Sequence, residues 1–412
     1  MSKFLKIAWR NIWRNRRRSL ITMGAIVFAI LITGVTRSLQ YGTYDALESY
    51  AVRLLVGELQ LQNKGFHEHQ TLTYSFPENL FPWDRLVDEY DFVEAYAKRI
   101  TSYGLVGSAS TSAGAMIIGI EPGRERRVTH FTTQLTAGET LDDADDHRIL
   151  LGKSLAENLN VAPGDTVVVL TQGYRNELGA DSYIVKGLIR SGNQELDRAL
   201  MVMSLRDAQD LFSLYGRITQ VVLATDDFRL AEKYARRMHI AMDGQELQVL
   251  PWQKLMPELL QLIALDNISG AIFLLFLLLI VGFEIMNTTL MAIMERIKEF
   301  GILQSLGVKP RQVSLMLLLE TGMKIVIAVI VGLLLTFIFI QLTKDYPIPL
   351  SSELKEAMEA WGFFTDFYFT DKARVFLEPL VAISVIAVLS IIYPIWMASR
   401  LRPVDALRKG QL

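Results

Sequence analysis

Four apolar runs, unevenly spaced, constrain this chain more than any other feature. They occupy 20–39, 268–294, 313–342 and 377–397. A helix crossing a bilayer needs about 20 apolar residues at about 1.5 Å per residue, and each run meets that length. A polar stretch, 40–267, separates the first run from the other three and is long enough to form a domain. The expected fold class is an α-helical membrane protein with four transmembrane helices. A large extracytoplasmic domain is inserted between spans one and two.

Orientation follows from Lys and Arg near the span ends. Lys3, Lys6, Arg10, Arg14, Arg16, Arg17 and Arg18 precede the first run. Arg296, Lys298, Lys309 and Arg311 lie between the second and third, and Arg400, Arg402, Arg408 and Lys409 follow the fourth. Four crossings put all three groups on one side, which the positive-inside rule makes the cytoplasm. The first run is too long for a signal-peptide core, and no small-residue cleavage site follows Val35-Thr36-Arg37, so it reads as an anchor. The twin arginines Arg17-Arg18 belong to its basic flank.

The expected organisation is therefore an amphipathic interfacial helix at 1–18 and a first span at 19–39. An outer domain follows at 40–267, then a second span at 268–294 and a cytoplasmic connection at 295–312. A third span at 313–342, an outer loop at 343–376, a fourth span at 377–399 and a tail at 400–412 complete the chain. In the first segment Phe4, Ile7, Ala8, Asn11, Ile12 and Asn15 recur at helical spacing, with Trp9 and Trp13 one turn apart. In span one, Ala25, Ala29 and Thr33 fall four apart, a stripe that either packs against another helix or faces lipid. Helical character continues outward through Tyr44, Leu47, Tyr50 and Leu54.

Within the outer domain, 58–62 alternates polar and apolar residues as a half-buried strand does. Further strands fit 115–120, 166–170, 183–189, 200–203 and 220–224. Helices fit 82–90, 153–159, 205–214 and 230–239, and Pro163-Gly164-Asp165 is a turn. Intermixed strands and helices give an α+β class. The outer loop carries a helical stretch near 352–361, then an aromatic cluster of Trp361, Phe363, Phe364, Phe367, Tyr368 and Phe369. That cluster reads as an interfacial belt or a substrate contact.

Composition excludes several chemistries. The 42 basic and 44 acidic residues leave a net charge of -2, so no bulk charge points to nucleic acid. Without cysteine there is no disulfide, thiolate catalysis, cysteine zinc site or iron–sulfur cluster. Gly152-Lys153-Ser154 resembles the end of a phosphate-binding loop, but His147 stands where that motif needs glycine. His67-Glu68-His69 offers two imidazoles that would share a face on a strand, with no third ligand evident. No catalytic residues, metal site or cofactor are expected in this chain.

Charge inside the apolar runs is the remaining signal. Glu284, Glu320 and Lys324 lie at membrane depth, where charged groups face protein or water. Glu320 and Lys324 are four apart on one helix. Glu284 and Lys324 fall at similar depth, which suggests an ion pair between spans two and three. The connection reads ERIKEFGILQSLGVKPRQV at 295–313, amphipathic and broken at Gly307 and Pro310. A short rigid helix there can pass force from a soluble partner to both adjoining spans.

The segment 295–307 resembles the E-R-x-x-E-[FI]-G-[IL]-x-[RQ]-x-[LI]-G motif of FtsX/MacB-type ABC transporter permeases. The end, YPIWMASRLRPVDALR at 393–408, and the opening, AWRNIWRN at 8–15, are similar to that family's tail and start. IGIEP at 118–122 and ILLGKSLAENLNVAPGDTVVV at 149–169 resemble its MacB-type periplasmic core. Residues 190–197, RSGNQELD, are similar to a segment of the lipoprotein-releasing LolC/LolE branch, with Arg190 and Leu196 where that branch prefers aromatics. The resemblance implies a separate cytoplasmic ATPase subunit that binds ATP and Mg, and a second permease copy or paralogue. It implies a lipid or lipoprotein cargo entering beside the span-one stripe, and leaves room for a periplasmic partner. The coupling helix would offer Glu295, Arg296 and Glu299 as polar contacts to the ATPase. Phe300, Leu303 and Leu306 would be its apolar contacts, with Gly307 closing it. MacB-like export and FtsX-like control of cell-wall hydrolases are the rival readings.

Overall fold

The computed structural model describes residues 2–191, 194–241, 246–346, 348, 351–354 and 367–400. The chain divides into two compact units, one of helices and one built on a sheet.

The helical unit comprises Met1–Asp45, Ile263–Ile348 and Asp366–Leu412. Its N-terminal helix is Ser2–Arg14. Four described helices are long and apolar enough to cross a membrane. Span one belongs to Arg16–Ala51, span two to Pro257–Glu295, span three to Pro310–Thr343 and span four to Ala373–Ser399. A helix of 36 or 39 residues runs about 54–58 Å, well beyond a hydrocarbon core of about 30 Å. The helices of spans one and two thus outrun the boundaries that hydropathy marks, as the pattern through Tyr44 to Leu54 anticipates. A five-residue π turn, Val52–Val56, ends the first.

Small residues set how the spans pack. A Cβ added to Gly34 would lie 2.5 Å from Thr336 Cγ2, and one on Gly332 would lie 2.9 Å from Ile30 Cβ. Spans one and three therefore approach backbone to side chain. Spans two and four meet likewise at Gly282, against Ser390 and Ile386. Ile26, Ala29 and Ile30 share one apolar cluster with Val281, Ile285, Ala328, Val329, Ile383 and Ala387. Inside the bundle Thr336 Oγ1 donates to the Gly332 carbonyl at 2.9 Å and Thr289 Oγ1 to the Ile285 carbonyl at 2.6 Å, each on its own helix. No water is available at that depth to satisfy them otherwise.

The second unit, Ala46–Leu262 with Pro349–Thr365, holds the sheet. Its strands are β1 Leu59–Asn63, β2 Phe76–Pro77, β3 Val93–Gly107, β4 Ser112–Ile120, β5 Leu135–Gly138 and β6 Arg148–Gly152. β7 Thr166–Gln172, β8 Leu178–Ile189, β9 Leu200–Ser204, β10 Arg217–Ile218, β11 Gln220–Thr225 and β12 Leu247–Pro251 follow. Ten strands form one mixed sheet in the order β12-β1-β11-β3-β4-β9-β6-β8-β5, with β7 pairing β3 and β8. β4–β9 and β6–β8 are its parallel pairs. β7 alternates exposed and buried along its length, putting Val167 and Val169 into the core. β9 and β11 are buried throughout. Helices Pro122–Val128, Lys153–Leu159, Leu205–Leu211 and Ala231–Ala241 belong to this unit.

Two expectations change here. β1 is buried on both faces, Glu58, Gln60 and Gln62 included, because it sits between β11 and β12. His67 and His69 lie on a short helix, Phe66–His69, where residues two apart diverge, and His69 stacks on Tyr74. Near the segment 190–197, Ser191 N–H donates to Asp197 Oδ1 at 2.7 Å, and Tyr50 OH donates to the Ser191 carbonyl. In the outer loop, Trp361, Phe363, Phe364 and residues 355–360 lie outside the described residues. Phe369 packs edge-on against Phe339, and Ser38 Oγ donates to the Thr370 carbonyl at 2.6 Å.

Candidate functional site

The connection between spans two and three folds as a single helix, Ile297–Ser305. It starts after Arg296, whose φ of -104° and ψ of 12° leave the helical region and turn the chain off span two. It ends at Gly307, where φ is +93°, a conformation glycine reaches without strain. Val308 N–H then donates back to the Leu303 carbonyl at 3.0 Å, closing the end. Pro310 opens span three, and Gln312 Oε1 accepts from Lys309 N–H at 2.9 Å.

The two faces of this connector differ sharply. Inward, Phe300 is fully buried among Ile293, Val313, Met316, Leu317 and Ala398, with Leu303 packed against them. Outward, Ile302 is 51% exposed and Leu306 is 77% exposed, beside exposed Lys298. Phe300 is thus a core residue and no docking contact. Periodicity tells which residues share a face, and only packing tells which face the spans cover.

A chain of charges fastens the connector. Arg296 is buried; its Nη1 donates to Glu320 Oε2 at 2.9 Å and its Nε to Glu299 Oε2 at 2.9 Å. Lys324 Nζ reaches Glu320 Oε1 at 3.1 Å, and Asn11 Nδ2 donates to Glu320 Oε2 at 3.4 Å. Arg14 Nη2 bonds both Glu299 oxygens at 3.0 and 3.1 Å. Arg18 grips Glu295 with two bonds of 2.5 and 2.7 Å. Partial burial opposes charge on Glu299, but hydrogen bonds from Arg296 and Arg14 outweigh it and hold its carboxyl below the usual range. The N-terminal helix packs Ala8, Asn11 and Ile12 inward and leaves Trp9 and Trp13 half exposed, edge to edge.

Two sequence assignments are corrected by this geometry. Lys324 pairs with Glu320 on its own helix, and among the described residues no ion pair joins it to half-buried Glu284. Arg296, assigned to an external contact, turns inward as the bridge between Glu299 and Glu320. The hydropathy signal marked Glu320 and Lys324 but could not show that a second cation enters from the connector. The span-one stripe also has an owner: Ala29 and Thr33 are buried, Ala25 is half-buried, and span three closes on the same face at Gly34.

At the other end of the spans a cleft of about 890 Å³ opens between helices one, two and four. Its walls are apolar, from Ile268, Leu274, Leu377 and Val381. Its rim is charged: Arg37 Nε stands 3.4 Å from Glu378, Arg374 donates to Glu378 at 2.5 Å, and Tyr41 OH donates to it at 2.7 Å. Two guanidiniums thus share one carboxylate. Arg37, a charge inside the first apolar run that the sequence reading passed over, is the signal that could have found this rim.

The sequence itself matches known families along nearly all of this architecture. A family model described as MacB-like periplasmic core domain matches residues 19–239, more than half of the chain. A second, described as FtsX-like permease C-terminal, matches residues 271–403. The chain belongs to the FtsX/MacB-type family of ABC transporter permeases. The lipoprotein-releasing system transmembrane protein LolC of Xylella fastidiosa is 29% identical to this permease over 309 residues, 71% of this chain and 73% of LolC. An uncharacterized ABC transporter permease of Methanocaldococcus jannaschii is 21% identical across 99% of this chain and 100% of its own. The solved periplasmic region of MacB from Actinobacillus actinomycetemcomitans is 15% identical, covers 50% of this chain and 93% of that one, and has a TM-score of 0.35. The connector of the permease lies in the FtsX-like part, and the large sheet in the MacB-like part.

Proposed function

We propose that this permease is the membrane subunit of a transporter that extracts lipoproteins from the outer leaflet of the inner membrane. The observation that carries the reading is the charge chain Lys324–Glu320–Arg296–Glu299–Arg14. It ties the connector to span three and to the N-terminal helix, so a push on the connector is delivered to both at once. In this reading the basic ends are cytoplasmic and the large domain is periplasmic. A separate ATPase subunit, holding ATP and Mg, docks on the outward connector face at Ile302 and Leu306. A second permease copy or paralogue completes the assembly.

The cargo reading draws support from the similarity to LolC and from the outer cleft. Apolar walls below a cationic rim suit a molecule with acyl chains and a polar or anionic head. The test is a photo-reactive residue replacing Leu377 in native membranes, followed by mass spectrometry of the adducts. Adducts with acylated lipoproteins that disappear on ATP addition are the expected result. Adducts confined to an adaptor or a cell-wall hydrolase overturn lipoprotein extraction in favour of export or hydrolase control.

A further inference from the structure

The large domain gathers a second set of titratable groups at the start of β6. β6 pairs antiparallel with β9, Ile149 opposite Met203. The residues just before β6 therefore meet the helix Leu205–Leu211 that follows β9. One carboxylate oxygen of Asp146, one of Asp207 and one imidazole nitrogen of His147 lie within 4.8 Å of one another. The backbone holds this corner: Ile184 N–H donates to the His147 carbonyl at 2.9 Å, and His147 N–H donates to Asp207 Oδ1 at 3.4 Å.

Asp207 is the informative member. It is 2% exposed, and its Oδ2 is buried with no hydrogen-bond donor among the described residues. A buried carboxylate needs a donor, a counter-charge or a metal. Lys186 and Arg148 pair with Asp145, at 2.6 and 3.5 Å, and among the described residues no ion pair reaches Asp207. Asp181 Oδ2 stands 3.5 Å from His147 Nδ1, and the imidazole stacks on Tyr183. An outer carboxylate on one imidazole nitrogen is the usual device that directs the other toward a metal.

We propose that Asp146, His147 and Asp207 bind one first-row divalent cation of the Zn²⁺ type. An imidazole with two carboxylates suits such an ion better than Mg²⁺ or Ca²⁺, which prefer all-oxygen sets. Bonds of about 2.0–2.2 Å put tetrahedral ligands about 3.3–3.6 Å apart, so exposed Asp146 and His147 close onto fixed Asp207. The ion clamps the segment before β6 to the helix after β9.

The test uses the full chain, purified in detergent and stripped with EDTA, then titrated calorimetrically with ZnCl₂ and melted with and without it. One Zn²⁺ per chain and a raised Tm are expected. His147→Asn and Asp146→Asn each weaken binding at least tenfold, while His69→Asn leaves it unchanged. Both cluster positions are exposed, and asparagine accepts the φ of 51° at position 147, so these variants fold. A wild-type chain that takes up no Zn²⁺, or variants that bind it as the wild type does, overturns the proposal.

Discussion

Two buried guanidinium–carboxylate pairs, one in each unit, serve different ends. In the large domain, Arg99 on β3 meets Glu125 on the helix Pro122–Val128, at 2% and 0% side-chain exposure. Arg99 Nε donates at 3.0 Å, Thr129 Oγ1 also donates to Glu125, and the guanidinium lies over Phe131. Glu125, Thr129 and Phe131 all lie within 32 residues of Arg99 in the same sheet domain. In the helical unit, Arg296 and Glu320 show 9% and 8% side-chain exposure, but their network joins residues 11, 14, 296, 299, 320 and 324. The first pair fixes a helix on a sheet. The second links three segments remote in sequence, and such a link is what a force-transmitting part requires.

The largest effects separate the two pairs. Removing one partner of a buried pair strands the other charge and costs about 3–5 kcal/mol. Glu125→Ala is expected to lose that much from the large domain alone. Glu320→Ala strands Lys324 and leaves Arg296 only its bond to Glu299, so a loss in the same range is expected, accompanied by reduced ATPase stimulation in the assembled transporter. Urea denaturation followed by segment-resolved hydrogen exchange separates the two. If Glu320→Ala costs under about 1 kcal/mol, the network is wet and the comparison fails.

Packing comes next. Gly34→Leu forces a side chain into Thr336 and should destabilise the helical unit by about 1–3 kcal/mol, with the large domain's exchange pattern unchanged. Thr336→Ala in the same chain should return part of that loss. No return would mean that the span-one stripe is not set by this contact.

What the sequence showed follows from the same physics. Spans are legible because length and apolarity are local properties, and the strands expected at 166–170 and 200–203 appear for that reason as Thr166–Gln172 and Leu200–Ser204. β3, the longest strand at 15 residues, did not, because Lys98, Arg99, Thr101 and Ser102 break its alternation. Arg99 occupies a core position only because Glu125 arrives from 26 residues away. The connector shows the same limit. Its helix and its breaks at Gly307 and Pro310 were readable, whereas the inward turn of Arg296 and Phe300 depends on what spans three and four present.

Acid and base responses should also differ between the units. Burial raises the Glu58 carboxyl despite its bonds from Thr225, whereas Glu299 is held low. A raised carboxyl binds its proton more tightly folded than unfolded, so that stability is present in acid and lost as pH rises through the folded value. Glu299 is opposite: its contribution is present at neutral pH and is lost as pH falls below about 4.3 toward its folded value. Glu58→Gln should flatten the pH dependence of the large domain's urea midpoint on the alkaline side of the ordinary glutamate value. An unchanged pH slope in that variant would assign the response to other buried acids, such as Glu121 or Asp197.

The smallest stability change belongs to the outward connector face. Ile302 and Leu306 touch little of the folded chain, so Ile302→Asp with Leu306→Asp should shift stability by no more than about 0.5 kcal/mol. The same pair should abolish co-purification of the ATPase, because two buried charges would enter an apolar groove. Phe300→Asp supplies the contrast: it should unfold the connector before any partner is involved, since Phe300 is in the core. If the outward pair assembles with its ATPase at full occupancy, the docking face lies elsewhere. The charge chain would then brace the bundle without carrying force through this connector, and the difference between the two buried pairs would reduce to one of reach.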